Sequence, residues 1–211
     1  PLIYFLMTNK TEKDYQNLLN ILIEKFNLEL PQNILMDFEL AAFNAFKKAS
    51  KTYRLHFCLF HLGQCLWRKI QKIGLTKLYN ENVDFRLYVK CFSSLAFVPP
   101  DHVYKEFIKL KYESEKYKAN NLNEFIDYFE NNFISSKKYP LASWNAYRRI
   151  EESIELTSNS AEVFHLHFYS RFEQSHSGLS TFISKLKEQQ SLIEQDLNYV
   201  LCHPAYKTNS K

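Results

Sequence analysis

Two periodicities run through the first sixty residues, and only one of them continues afterwards. Residues 2–8 (LIYFLMT) form an unbroken apolar run rich in aromatic and β-branched side chains, which predicts a buried strand. Polar residues follow, and Thr11 with Asp14 three positions on predicts a capped helix start. Tyr15, Leu18, Leu19, Leu22, Ile23 and Phe26 then recur at helical spacing. Beyond Pro31 a second apolar run, 33–36, ends at Asp37. Residues 39–49 read as a short helix with Leu40, Ala42, Phe43 and Phe46 inward, and 53–57 as a third strand that delivers Cys58 and His61. Strand–helix–strand–helix–strand predicts mostly parallel pairing with right-handed crossovers.

After His61 the period is helical throughout. Residues 61–73 place Leu62, Cys65, Leu66, Lys69 and Ile70 on one shared face, and 84–96, 100–117 and 122–133 read as further helices. Pro99-Pro100 and the 137–140 stretch break the pattern. A helical block of about eighty residues therefore separates the α/β start from two late helices, 158–172 and 179–200, with a frayed end expected from 198 onward. No internal repeat and no low-complexity tract is present.

Composition narrows this further. The chain has 211 residues, 45% of them hydrophobic, with 18 Phe and 14 Tyr, which supports a sizeable core and argues against disorder. Only 3 glycines occur, and neither GxGxxG nor GxxxxGK[ST] is among the motifs, so a glycine-rich phosphate loop is excluded. A net charge of +4 permits a nucleic-acid partner without demanding one. Cys58, Cys65, Cys91 and Cys202 are spaced irregularly, which points to a reducing compartment rather than a disulfide framework. No run reaches the roughly eighteen apolar residues of a membrane span, so no membrane partner is expected. The chain opens at Pro1 directly in a strand-like run, and the expectation is a fragment of a longer protein.

Several residues could carry chemistry. Asp37 stands at a strand end, where α/β sheets place their chemistry; it reads either as a helix cap or as a carboxylate ligand to Mg²⁺. From Asp37 alone the cap is the preferred reading. Glu162, early in a helix preceded by Thr157, Ser158 and Asn159, reads either as an acid complementing the helix dipole or as a second metal ligand. Cys58 and His61 make a C-x2-H, which is half of a zinc site; Cys65, His56, His165 and His167 are the candidate partners, and a buried thiol beside a capping histidine is the competing reading. Basic residues interleave with aromatic ones at Trp67-Arg68-Lys69, at 109–118 and at Tyr147-Arg148-Arg149, a combination able to neutralise phosphates and stack on bases. Glu113, Glu115, Glu151 and Glu152 dilute that signal, so a solvated helical face is the simpler reading for most of it.

Taken together, these pieces resemble the transposase domain of Mutator-like elements. The resemblance is carried by PLIYFLMTNKTEKDY at the start, ILMDFE at 34–39, CLFHLGQCLWR at 58–68, QKIGLTKLY at 71–79, LAFVP at 95–99, Trp144-Asn145, and TSNSAEVFH at 157–165. It implies a ribonuclease H-like α/β fold, here a truncated core of short, mostly parallel sheet and flanking helices with a large all-helical insertion. The core would comprise 1–60 and 157–200, the insertion 61–156 and the tail 201–211. It implies Asp37 and Glu162 as the second and last members of a DDE/D catalytic set, both binding Mg²⁺ or Mn²⁺, and Cys58 and His61 as the family's C-x2-H, with Zn²⁺ as the metal they would take. The first catalytic aspartate would precede Pro1, so the chain alone is expected not to cleave DNA. The implied activity of the parent is metal-dependent phosphodiester hydrolysis and strand transfer, with transposon ends and target DNA as partners, homo-oligomerisation, and a nuclear location. Arg68, Lys69, Arg148 and Arg149 are the expected DNA contacts. The family's Arg-Thr-Asn-Asn is not kept, because Leu156 and Ser158 replace the Arg and the first Asn. That departure keeps a second reading open, a domesticated and catalytically inactive domain binding nucleic acid or protein. A zinc-stapled helical domain is a third.

Overall fold

In the computed structural model the described residues are 3–49, 52–172 and 178–203. They fall into two units: Met7–Ser158, and Asn159–Lys211 together with Pro1–Leu6.

The larger unit begins with helix α1 (Glu12–Asn20), whose last turn widens into a π turn at Ile21–Lys25. Thr11 caps it reciprocally with Asp14, as the sequence predicts. Strand β1 (Asn33–Met36), helix α2 (Leu40–Ala49) and strand β2 (Arg54–Phe57) follow. The strands pair in parallel, with Asn33 opposite Arg54 and Met36 opposite Phe57. Only a crossover of the α2 kind lets consecutive strands run parallel. Ala42, Phe43 and Ala45 form the buried side of α2, and the Phe43 ring stacks on Phe57 at 4.9 Å.

The sheet has two strands among the described residues, and the strand expected at 2–8 is not one of them; Leu2 lies outside the described residues, and 3–8 belong to no helix or strand. Residues 3–6 belong to the smaller unit, where the Tyr4 ring packs 5.9 Å from Phe164. An apolar run reports a preference for burial and does not by itself select strand pairing.

The remainder of the larger unit is helical: α3 (Leu59–Lys72), α4 (Thr76–Glu81), α5 (Val83–Ser94), α6 (Pro100–Glu113), α7 (Leu122–Phe129), α8 (Leu141–Trp144) and α9 (Tyr147–Glu151). α3 buries Leu62, Leu66 and Ile70, one stripe at four-residue spacing. It stops at Gly74, whose φ of 76° suits glycine; Gly74 N–H donates to Gln71 O and Leu75 N–H to Ile70 O, a Schellman closure. The core is largely aromatic. Phe92 meets Phe125 edge-on at 4.9 Å and Phe129 at 5.2 Å, and Trp144 donates its indole N–H to Phe133 O at 3.1 Å. Edge-on pairs of this kind contribute about 0.5–1.5 kcal/mol each beyond their burial.

Two distant stretches are clasped by backbone and amide bonds. Ala146 N–H donates to Ala96 O at 2.7 Å, and the Asn145 amide donates to Val98 O at 2.9 Å. LAFVP and Trp144-Asn145 are therefore the two halves of one joint.

In the smaller unit, α10 (Asn159–Tyr169) and α11 (Leu179–Cys202) take the places expected for the late helices. α11 continues to Cys202, past the fraying point expected at 198, and 204–211 lie outside the described residues. Within this unit Phe168, Phe172 and Phe182 form an aromatic cluster.

Candidate functional site

The carboxyl ends of β1 and β2 open onto one group of polar side chains. Asp37 is the first residue past β1, and its side chain is 60% exposed. α2 begins at Leu40, so the capping position belongs to Glu39 and the carboxylate of Asp37 is left for other partners. His61, in the first turn of α3, brings Nδ1 to 3.0 Å from Asp37 Oδ1. The two atoms are at ion-pair distance without the alignment of a hydrogen bond. On the other side, Tyr15 of α1 reaches Glu39. Its phenol is pushed up to about 12 by burial, by a hydrogen bond with the Glu39 carboxylate, and by the charges of Glu39 and Asp37. Sequence periodicity marked Tyr15 only as a core position; its hydroxyl is what joins α1 to this group.

Cys58 stands between β2 and α3, fully buried. Its amide donates to Met36 O at 2.9 Å, which ties it to the end of the neighbouring strand. The Ser158 hydroxyl lies 3.4 Å from its sulfur. Burial pushes the thiol up, but the Ser158 hydroxyl, the His61 and Ser158 amides and the His61 ring outweigh it, so the thiol sits below its ordinary range. Ser158 is held there by the chain before it: Leu59 N–H donates to Leu156 O at 3.0 Å.

Arg149 anchors the same segment. It is 2% exposed; its guanidinium donates to Phe57 O at 3.0 Å and also to Glu155 O. It was expected at a DNA-facing surface, but these bonds use it to fasten α9 to the end of β2. The other three expected DNA contacts are more accessible. Arg68 is exposed and bonded to Gln64 at 3.4 Å, Arg148 is exposed, and Lys69 is half-buried, 3.3 Å from Glu124 and 5.9 Å over the Tyr128 ring.

The proposed zinc partners do not act alike. His56 on β2 is buried, its Nε2 3.2 Å from Asn33 Oδ1 on β1. Burial first, then the charges of Arg149 and Arg54, push it down to about 4, so it is a neutral ring at physiological pH. Cys65 is half-buried, and burial pushes its thiol up. His165 and His167 are exposed on α10. Glu162 is on α10 as well, in its first turn, with one carboxylate oxygen buried and without a hydrogen-bond partner among the described residues.

The donor set is divided by chemistry. Asp37 and Glu39 supply hard oxygens suited to Mg²⁺ or Mn²⁺, whereas Cys58 and His61 supply the soft sulfur and nitrogen that suit zinc. An exposed carboxylate on a strand end beside a second carboxylate fits an ion that keeps several of its waters.

These features define a mostly helical protein built around a short parallel strand pair with acidic residues at its carboxyl end. Residues 1–64 match the family model of the MULE transposase domain. The match covers α1, the strand pair, α2 and the start of α3, and so contains Asp37, Cys58 and His61. No curated protein and no solved structure matches the chain. No helix among the described residues is long and apolar enough to cross a membrane.

Proposed function

We propose that the chain is part of a ribonuclease H-like DDE/D transposase core, in which Asp37 binds a divalent ion for phosphoryl transfer on DNA. The observation that carries this reading is the position of Asp37: inside the matched stretch, at the carboxyl end of β1, with an exposed carboxylate beside Glu39 and His61. The bound Mg²⁺ or Mn²⁺ would activate the attacking oxygen and stabilise the leaving one. Asp37 would be a direct ligand. Glu39 adds negative charge and is braced by Tyr15, while His61 orients the Asp37 carboxylate. Glu162, in the first turn of α10, is the second proposed ligand. Residues 1–60 and 157–200 then form the catalytic core, and 61–156 the helical insertion. Arg68, Lys69 and Arg148 are the proposed phosphate contacts, with transposon ends and target DNA as ligands, a homo-oligomer as the working form and the nucleus as its location.

A second reading is favoured by the segment 156–158. Leu156 and Ser158 stand where the family has Arg and Asn, and both are occupied in docking onto the α3 start. A domesticated domain that binds nucleic acid without cleaving it would keep the basic surface and lose the ion. The experiment that separates the two is a Mn²⁺ titration followed by electron paramagnetic resonance, run beside duplex-DNA binding. The catalytic reading expects saturable Mn²⁺ binding that Asp37→Ala weakens at least tenfold; DNA binding with no Mn²⁺ site would favour the second.

A further inference from the structure

A cavity of about 830 Å³ opens in the larger unit. None of Asp37, Glu39, Cys58 and His61 lines it, so it is separate from the polar group at the strand ends. Its centre is apolar. Tyr53, Pro100, Pro140, Leu141 and Ile154 line it and are half-buried, so part of each side is reachable from solvent. Phe43 and Leu55 are buried behind them, as are His56 and Arg149, and these four offer no contact to a ligand.

Its reachable charges are on exposed residues. Lys47, Arg54 and Arg148 face the single carboxylate of Glu152. Arg54 and Glu152 are paired at 2.5 Å and cancel one another. That leaves Lys47 and Arg148, neither of which has a carboxylate partner among the described residues. Lys47 Nζ stands 5.9 Å over the Phe43 ring, which holds that charge beside the apolar centre. Ala142, exposed and small, keeps the wall open.

An apolar recess inside a charged rim is the anatomy of a pocket that anchors one bulky side chain of a protein partner. A phosphate backbone asks for something else: a track of many cations, each neutralising one phosphate. Two unpaired cations around an apolar centre make no such track, and the Glu152 carboxylate stands against one. We infer that the cavity is an anchor pocket for an acidic segment of a partner protein, one that presents a bulky apolar side chain between carboxylates. The apolar side chain fills the centre, and the carboxylates pair with Lys47 and Arg148. Charge complementarity at the rim fixes the sign of the partner, and the recess fixes the apolar residue. Arg148 is among the proposed phosphate contacts whereas Lys47 is not, so Lys47 carries the test. The inference draws nothing from DNA or metal binding at the strand ends.

Calorimetric titration of the 211-residue chain tests it. The probes are a capped pentapeptide with tryptophan between two pairs of acidic residues, the same peptide with serine for tryptophan, a third with lysines for the acids, and a DNA duplex. Saturable binding of the acidic tryptophan peptide is expected, weakened about tenfold by Lys47→Ala, which removes one charged contact. Lys72→Ala, an exposed cation outside the lining, is expected to leave it unchanged. Ala142→Trp fills the opening without removing a charge and is expected to abolish binding while the melting temperature holds. The serine peptide binding as tightly as the tryptophan peptide overturns the inference, because charge alone then accounts for the affinity. So does equal or tighter binding of the basic peptide, absence of saturable binding, binding that Lys47→Ala or Ala142→Trp leaves unchanged, or a loss in Lys72→Ala equal to that in Lys47→Ala. Duplex that binds more tightly than the peptide and is lost in Ala142→Trp assigns the cavity to nucleic acid and overturns it as well.

Discussion

At the scale of single residues, His56 and Arg149 are buried polar groups with structural consequences that can be measured. His56 is held down to about 4, far below the 6.5 of a free imidazole. As pH falls below about 6.5 the unfolded chain takes up a proton that the folded chain refuses until about pH 4. Stability is therefore lost on acidification through that window and is unaffected above it. Chemical denaturation at pH 7 and pH 5 should show a loss of about 1–2 kcal/mol attributable to this residue. His56→Gln, which cannot titrate, should remove that share of the slope; an unchanged slope would mean that His56 is accessible to protons. Arg149→Met removes the donor to Phe57 O and Glu155 O and is expected to cost about 3 kcal/mol, because one buried and one partly buried carbonyl lose a charged partner. Its melting transition should fall accordingly, whereas Arg148→Met, on the exposed side of the same helix, should leave it unchanged.

At the scale of elements, the sequence carried most of the pattern and missed where one run found its partner. α1 with its Thr11 cap, β1, α2, β2 and the helical stripe of α3 were all legible, because each has its own period and its own stop. The short helices α4, α8 and α9 were not read as elements, since four to six residues are too few to show a period. Residues 3–8 have the composition of a strand and are in no strand among the described residues. In the candidate site, Asp37 and the Cys58–His61 pair were legible from their place at strand ends. Tyr15 was legible as core alone, and Ser158 as a helix cap and a departure from a family pattern, because neither spacing reveals a contact made across more than twenty residues. Arg149 is indistinguishable from Arg148 in sequence for the same reason: a basic residue beside an aromatic one looks the same whether it faces solvent or two carbonyls. The α3 stop makes a further test. Gly74→Ala should destabilise by about 1 kcal/mol, since alanine pays for the left-handed backbone that the Schellman closure requires. A neutral result in urea denaturation would contradict that geometry.

At the scale of the whole molecule, the division at Ser158 and Asn159 groups the strand pair and the helical block in one unit. The aromatic core from Phe85 to Trp144 and the clasp between Asn145 and Val98 lie wholly within it. Residues 7–158 alone should therefore fold cooperatively, with the circular dichroism of a helical protein and a single melting transition; a disordered spectrum would show that 159–211 is needed for the fold. Asp37 lies within that unit and inside the stretch 1–64 that matches the MULE transposase domain model. The central claim, that Asp37 is a ligand for a divalent ion, is tested most directly by paramagnetic line broadening in amide NMR spectra on addition of Mn²⁺. The account expects broadening that starts at 36–40 and at His61 and disappears in Asp37→Ala; broadening centred elsewhere, or unchanged by that substitution, would contradict it.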